Sequence, residues 1–174
     1  MNQIDFITLS WLFALSITVH NLEEAVWLPK WSISAGRWHP PVKPVVFRFA
    51  VLVLTLFAYI TSILACIGGK MSLGAYLISG YALAMLLNVV FPHLIATIAL
   101  KRYAPGLLTA ILLNLPVTLS LLHYAIVNEY IGLKTFYIIG PVVTLGMLGS
   151  IPVLFGIGNY LFYRNDKQEM EDRH

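Results

Sequence analysis

Three ionisable side chains lie close together in an apolar stretch near the start of the chain: His20, Glu23 and Glu24. Spacings of three and four residues place them on one face of a helix. The stretch, residues 6–27, carries no other charged residue. An ionised carboxylate in hydrocarbon costs several kcal/mol unless it is paired, protonated or bound to a metal. The cluster therefore indicates a functional site.

Histidine and carboxylate side chains together form binding sites for Zn, Fe or Mn. We therefore interpret His20, Glu23, Glu24 and His93 as candidate ligands of a divalent transition metal, which could act as a Lewis acid. Helical spacing leaves open whether Glu23 or Glu24 faces the site, since both lie within reach of His20. Without a metal, the same His–Glu group could pass a proton or only join helices by hydrogen bonds.

The composition is typical of a polytopic, all-α protein of the cell membrane. Apolar residues make up 59% of the chain and charged residues only 11%, with a mean hydropathy of +0.80. Soluble domains contain roughly 25% charged residues. The net charge of +3 does not indicate a nucleic-acid partner, because the basic residues lie in short loops between apolar blocks. The expected partner is the lipid bilayer.

The apolar blocks predict five membrane-spanning helices in a single domain, residues 1–163, followed by a charged tail at 164–174. The helices are expected at residues 6–28, 45–67, 72–100, 106–127 and 136–163. Pro29 is expected to end the first helix, and Pro92 to kink the third.

The positions of lysine and arginine predict the orientation. One side of the membrane would hold Lys30, Arg37, Lys43, Arg48, Lys101, Arg102, Arg164, Lys167 and Arg173, and the other would hold Lys70 and Lys134. Because basic residues accumulate on the cytoplasmic side, the N-terminus is expected outside and the C-terminus in the cytoplasm.

Polar residues of three predicted helices reach a similar depth in the cytoplasmic half. At about 1.5 Å per residue, His20 and His93 lie about 10–12 Å from the cytoplasmic ends of their helices. Asn114 lies about 12 Å into its helix, and Asn88 about one and a half turns deeper than His93. We interpret Glu23 and Glu24 as ligands or acid–base groups, with Asn88 and Asn114 as residues that orient them.

Three functions fit these residues. The first is an intramembrane enzyme, metal-dependent, that acts on a lipid-like or small apolar molecule entering between the helices. The second is a small proton-coupled or metal-ion transporter, which would need an aqueous path to both faces and a homodimer to build it. The third is a structural or accessory subunit in which the cluster joins helices.

The motifs resemble those of the HXXEE family of small, largely uncharacterised prokaryotic membrane proteins. The resemblance covers about residues 6–116 and is carried by His20-Asn21-Leu22-Glu23-Glu24, Asn88-Val89-Val90-Phe91-Pro92-His93, Arg102-Tyr103-Ala104-Pro105-Gly106, and the pair Asn114 and Pro116. It implies a helical membrane protein with a polar site. The family has no established reaction, so the resemblance does not imply one for this chain.

Overall fold

The computed structural model describes residues 5–36 and 39–171, and only the backbone for residues 164–171. Its five long helices are α1 (Phe6–Ser32), α2 (Pro44–Gly68), α3 (Leu73–Leu100), α4 (Leu107–Val127) and α5 (Leu133–Glu171). Each is long and apolar enough to cross a membrane, and the described residues contain no strand. The all-α class and the five apolar helices are thus confirmed.

The orientation of the bundle stays a prediction. Arg37 and Arg173, which contribute to the charge asymmetry, lie outside the described residues. Helix α5 runs on as far as Glu171, so the charged segment after residue 163 begins as a continuation of that helix.

Local capping explains where two of the helices begin. The Asp5 carboxylate accepts a hydrogen bond of 2.7 Å from the backbone N–H of Thr8 and caps α1. The Ser72 hydroxyl accepts one of 3.1 Å from the N–H of Ala75 and caps α3. Such caps satisfy N–H groups that have no partner within the first helical turn.

Helix α1 continues through Pro29 to Ser32, so the predicted end at residue 28 is wrong. A proline inside a helix leaves the carbonyl four residues earlier without its N–H donor. That carbonyl belongs to Ala25, and it accepts a hydrogen bond of 3.2 Å from Arg48 Nε on α2. Because α2 supplies the missing donor, the helix continues past the proline.

Helix α3 is interrupted in its second half. It is α-helical from Leu73 to Asn88 and again from Ile95 to Leu100, whereas Phe91 between them is extended, with φ −126° and ψ 122°. A proline disfavours helical geometry in the residue before it, which here is Phe91. The interruption at this position agrees with the kink predicted at Pro92.

Helix α3 lies at the centre of the bundle, packed against α2, α4 and α5, while α1 packs against α2 and α4. The close approach of α3 to α2 depends on Gly74, since a Cβ atom there would overlap the backbone of Leu64. The N-terminal half of α1 contributes Phe6, Phe13 and Ile17 to the apolar core. The polar cluster follows directly after this core, on the C-terminal half of α1.

Candidate metal centre

Three of the predicted ligands come together. His20 and Glu24 lie on α1 and His93 lies after the interruption of α3, and one ligand atom of each falls within 4.8 Å of the others. Oε1 of Glu24 lies 3.3 Å from Nε2 of His93 and 3.9 Å from Nε2 of His20. Both histidines are buried and the Glu24 side chain is 12% exposed. The group could therefore hold a metal ion.

The hydrogen bonds of His20 place a lone pair on its Nε2. Nδ1 of His20 lies 3.0 Å from the Thr109 hydroxyl. That hydroxyl donates its own hydrogen either to Glu23 Oε2 at 2.7 Å or to the Gly106 carbonyl at 3.1 Å, both of which only accept. Nδ1 of His20 must then be the donor to Thr109, so the lone pair is on Nε2.

His93 is held by Asn88. Nδ2 of Asn88, an amide nitrogen that can only donate, lies 3.1 Å from Nε2 of His93. Nε2 of His93 therefore accepts this hydrogen bond and carries the lone pair, and it lies 3.3 Å from Oε1 of Glu24. Both histidines thus present an Nε2 lone pair toward Glu24.

Glu23 points to different neighbours. Its carboxylate accepts hydrogen bonds from the N–H of Gly106 at 2.8 Å, from the N–H of Thr109 at 3.3 Å, from the Thr109 hydroxyl at 2.7 Å and from the Tyr103 hydroxyl. All four donors belong to the α3–α4 connection or the start of α4. The structure therefore brings Glu24 to the two histidines and uses Glu23 to hold the connection beside them.

Tyr103 lies outside the apolar spans and remains a donor to Glu23 at neutral pH. Partial burial and the hydrogen bond to Glu23 raise the pKa of the Tyr103 phenol to about 12. Its oxygen also accepts a hydrogen bond of 3.1 Å from the N–H of Leu108. The phenol thus links α1 to both ends of the short connection.

Gly106 allows the connection to touch the two imidazole rings. Its backbone φ of +94° is a conformation that residues other than glycine rarely adopt. A Cβ atom here would lie 2.5 Å from Cε1 of His93 and 3.0 Å from Cε1 of His20. The rings themselves meet edge to face, with centroids 5.0 Å apart. A side chain at Gly106 would displace both histidines.

The two predicted orienting asparagines differ in their surroundings. Nδ2 of Asn88 lies 3.2 Å from Nε2 of His20 and 3.1 Å from Nε2 of His93. Asn114 is fully buried, and neither atom of its amide has a hydrogen-bond partner among the described residues. The structure thus brings Asn88 into the group and leaves Asn114 outside its hydrogen bonds.

Sequence reasoning from residue chemistry missed Thr109 and Gly106. Neither is charged or a usual metal ligand, and Thr109 is not part of a quoted motif. The one signal for Gly106 was its place at the end of the Arg102–Gly106 segment that carries the family resemblance.

An apolar cavity of about 190 Å³ adjoins the candidate ligands. His20, Glu24 and Asn88 contribute polar groups to its wall. The rest of the lining is mainly apolar and comes from α1, α2, α3, α5 and the α1–α2 connection; it includes Leu28, Phe47, Val51, Met85, Ile151 and Phe155. A small apolar molecule in this cavity would meet the polar cluster at one wall.

Comparison with known proteins supports the family resemblance. Residues 11–121 match the model of a family described as "Protein of unknown function with HXXEE motif". The chain is also similar to an uncharacterized protein, YrkK, of Bacillus subtilis (strain 168), with 39% identity over 147 residues that cover 84% of this chain and 93% of the relative. No solved structure matches the chain. The chain therefore belongs to the HXXEE family, whose motif contributes His20 and Glu24 to the group described above.

Proposed function

We propose that this protein is an intramembrane, metal-dependent enzyme. It would hold Zn, Fe or Mn between His20, Glu24 and His93 and act on a small apolar or lipid-like molecule. The observation that carries the proposal is that ligand atoms of His20, Glu24 and His93 lie within 4.8 Å of one another, beside an apolar cavity that His20 and Glu24 line.

The donor set suits a transition metal. Two neutral imidazoles and one carboxylate are a common ligand set of catalytic zinc sites. Ligand atoms around a tetrahedral ion with bonds of roughly 2.0–2.1 Å lie about 3.4 Å apart. The measured 3.3 Å and 3.9 Å from Glu24 Oε1 to the two Nε2 atoms are close to that spacing. Side-chain adjustment within this group, whose ligand atoms all lie within 4.8 Å of one another, would bring the ligands to bonding distance.

The surrounding residues support the same role. Thr109 holds the His20 imidazole in the tautomer that leaves the lone pair on Nε2. Glu23 in turn holds Thr109. Hydrogen bonds of this kind orient metal ligands and raise their basicity.

The cavity supports the proposed class of substrate. A dry cavity of roughly 150 Å³ can hold a molecule of the size of benzene, so this one has room for a short alkyl chain or a ring. A metal at the polar wall would act as a Lewis acid on a polar group of that molecule. His20 and Glu24 line the cavity directly, so the polar end of a substrate would lie beside them.

Metal content tests the proposal. The purified full-length protein is stripped with a chelator, reloaded separately with Zn, Fe(II) or Mn(II), and measured by elemental analysis. We expect one ion per wild-type chain, and its loss in His20→Ala, Glu24→Gln and His93→Ala. His123→Ala on α4 is the matched histidine control and should retain the ion. Folded wild-type protein that binds none of the three metals would overturn the proposal.

The enzymatic part is tested in vesicles made from bacterial lipid extract. Wild-type protein, loaded with its metal, is compared with Glu24→Gln by untargeted mass spectrometry of the extracted lipids. A product that accumulates only with the wild type is expected. Metal-loaded wild type that leaves the lipids unchanged would contradict a lipid-like substrate from that extract.

A further inference from the structure

Asn88 occupies a particular position relative to the two histidines. Its Nδ2 atom lies 3.2 Å from Nε2 of His20 and 3.1 Å from Nε2 of His93. Because both Nε2 atoms carry lone pairs, the two hydrogens of the Asn88 amide can each be donated to one ring. The amide thus bridges the two candidate ligands.

The distances place this amide at ligand spacing from both candidate imidazole ligands. A tetrahedral ion requires ligand atoms about 3.4 Å apart. From Nδ2 of Asn88 the two imidazole nitrogens lie at 3.2 Å and 3.1 Å, and from Oε1 of Glu24 they lie at 3.9 Å and 3.3 Å. The end of the Asn88 side chain therefore lies at least as near to the two imidazole nitrogens as the Glu24 carboxylate oxygen does.

An N–H group cannot remain directed at a bound cation. A half-turn of the planar amide exchanges Nδ2 for Oδ1, which has nearly the same position and carries lone pairs. We propose that Asn88 is the fourth ligand of the metal, through Oδ1, and that its amide turns over when the metal binds. This inference rests on the proposed metal site and adds a ligand to it.

A neutral amide oxygen is the weakest of the four ligands. Asn88 also lines the cavity, so its oxygen is the ligand that a polar group of a substrate would most readily replace. A catalytic site needs such a replaceable position, or room for a fifth ligand. Asn88 would thus complete the site in the absence of substrate and give way when one enters.

Cobalt(II) provides the test, because its visible spectrum reports coordination number and ligand type. Wild-type protein, stripped of metal and titrated with Co(II), should show the intense bands of a four-coordinate ion. Asn88→Ala should bind at least roughly tenfold more weakly, a loss of about 1.4 kcal/mol, with bands altered by the loss of the oxygen ligand. Asn88→Asp, which offers an anionic oxygen from the same position, should bind more tightly than wild type with shifted bands. Asn128→Ala, at the far end of α4, is the matched asparagine control and should behave as wild type.

The outcomes separate this inference from the proposed function. If Asn88→Ala binds Co(II) with wild-type affinity and an unchanged spectrum, Asn88 only bridges the histidines and the inference fails, while the three-ligand site stands. If wild-type protein binds no Co(II), the metal site itself fails. If Asn88→Ala does not fold, the Co(II) spectrum of Asn88→Asp tests the inference instead. Bands identical to those of wild type would exclude residue 88 as a ligand.

Discussion

Oε1 of Glu24 lies 3.3 Å from Nε2 of His93, which joins α1 to the interrupted part of α3. The adjacent carboxylate of Glu23 turns to the start of α4 and accepts a hydrogen bond of 2.8 Å from the N–H of Gly106. Two neighbouring acidic residues thus take different roles. Glu24 belongs to the group that could hold a metal, whereas Glu23 holds the backbone that surrounds the two histidines.

This division predicts opposite effects for two matched substitutions. Glu24→Gln should abolish metal binding, because a neutral amide replaces the anionic ligand, and should leave the fold intact. Glu23→Gln should retain one metal per chain but lower the free energy of unfolding by about 1–3 kcal/mol, since its NH2 group would face donors rather than accept from them. Metal content and unfolding in mixed detergent micelles measure the two effects. Loss of metal in Glu23→Gln with full retention in Glu24→Gln would reverse the assignment.

Thr109 should control metal affinity without contacting the metal. Its hydroxyl accepts from Nδ1 of His20 at 3.0 Å and lies 2.7 Å from Oε2 of Glu23. Thr109→Val removes the acceptor and should weaken metal binding roughly 10–100-fold, as expected when the partner of a ligating histidine is lost. Competition with a chelator of known affinity measures this. Thr109→Ser keeps the hydroxyl and should bind nearly as wild type, and equal affinities for the valine and serine variants would contradict the role.

Much of the fold follows from the sequence because long apolar blocks allow few alternatives in a membrane. The end of α1 did not follow, since Pro29 is tolerated only because Arg48 of another helix reaches the Ala25 carbonyl. The residues next to Pro29 in the sequence do not predict this hydrogen bond from a different helix.

The site was predictable to the level of residue types on a helix face. Helical spacing places His20, Glu23 and Glu24 together, but the donors of the α3–α4 connection decide which carboxylate turns inward. Asn114 was predicted to lie at the depth of the two histidines, but its amide makes no hydrogen bond to them. Residues at one level of the membrane need not face one another, because depth carries no information on the rotation of each helix about its axis.

Gly106 should be essential both for stability and for the position of the histidines. Gly106→Ala places a side chain at φ +94°, which costs about 1–3 kcal/mol, and sets Cβ against both imidazole rings. We expect a loss of stability of at least that size together with weaker metal binding. Gly146→Ala is the control, because a Cβ atom there meets nothing within 4 Å. It should be neutral or stabilising by up to about 1 kcal/mol, as usual for alanine in a helix. Equal stabilities of the two variants, measured by unfolding in mixed micelles, would contradict the packing around Gly106.

The cavity and the candidate metal can be tested together with alkyl hydroxamates, whose head group binds metals and whose tail can enter an apolar space. Hexanohydroxamate should change the spectrum of the Co(II)-loaded wild type. Ala50 is buried and lines the cavity, so Ala50→Phe should fill the space and weaken hexanohydroxamate binding at least roughly tenfold, a loss of about 1.4 kcal/mol. Co(II) content should not change, because Ala50 is not a ligand. Leu52→Phe, at an exposed position of the same helix, should bind as wild type.

Acetohydroxamate separates the tail from the head group in this comparison. Its single methyl group needs little of the cavity, so it should bind wild type and Ala50→Phe with similar affinity. If Ala50→Phe weakens the binding of both compounds equally, the substitution has disturbed the metal rather than the cavity. If Ala50→Phe weakens the binding of neither compound, the apolar space beside His20 and Glu24 does not hold the tail of a bound molecule, and the proposed class of substrate is wrong.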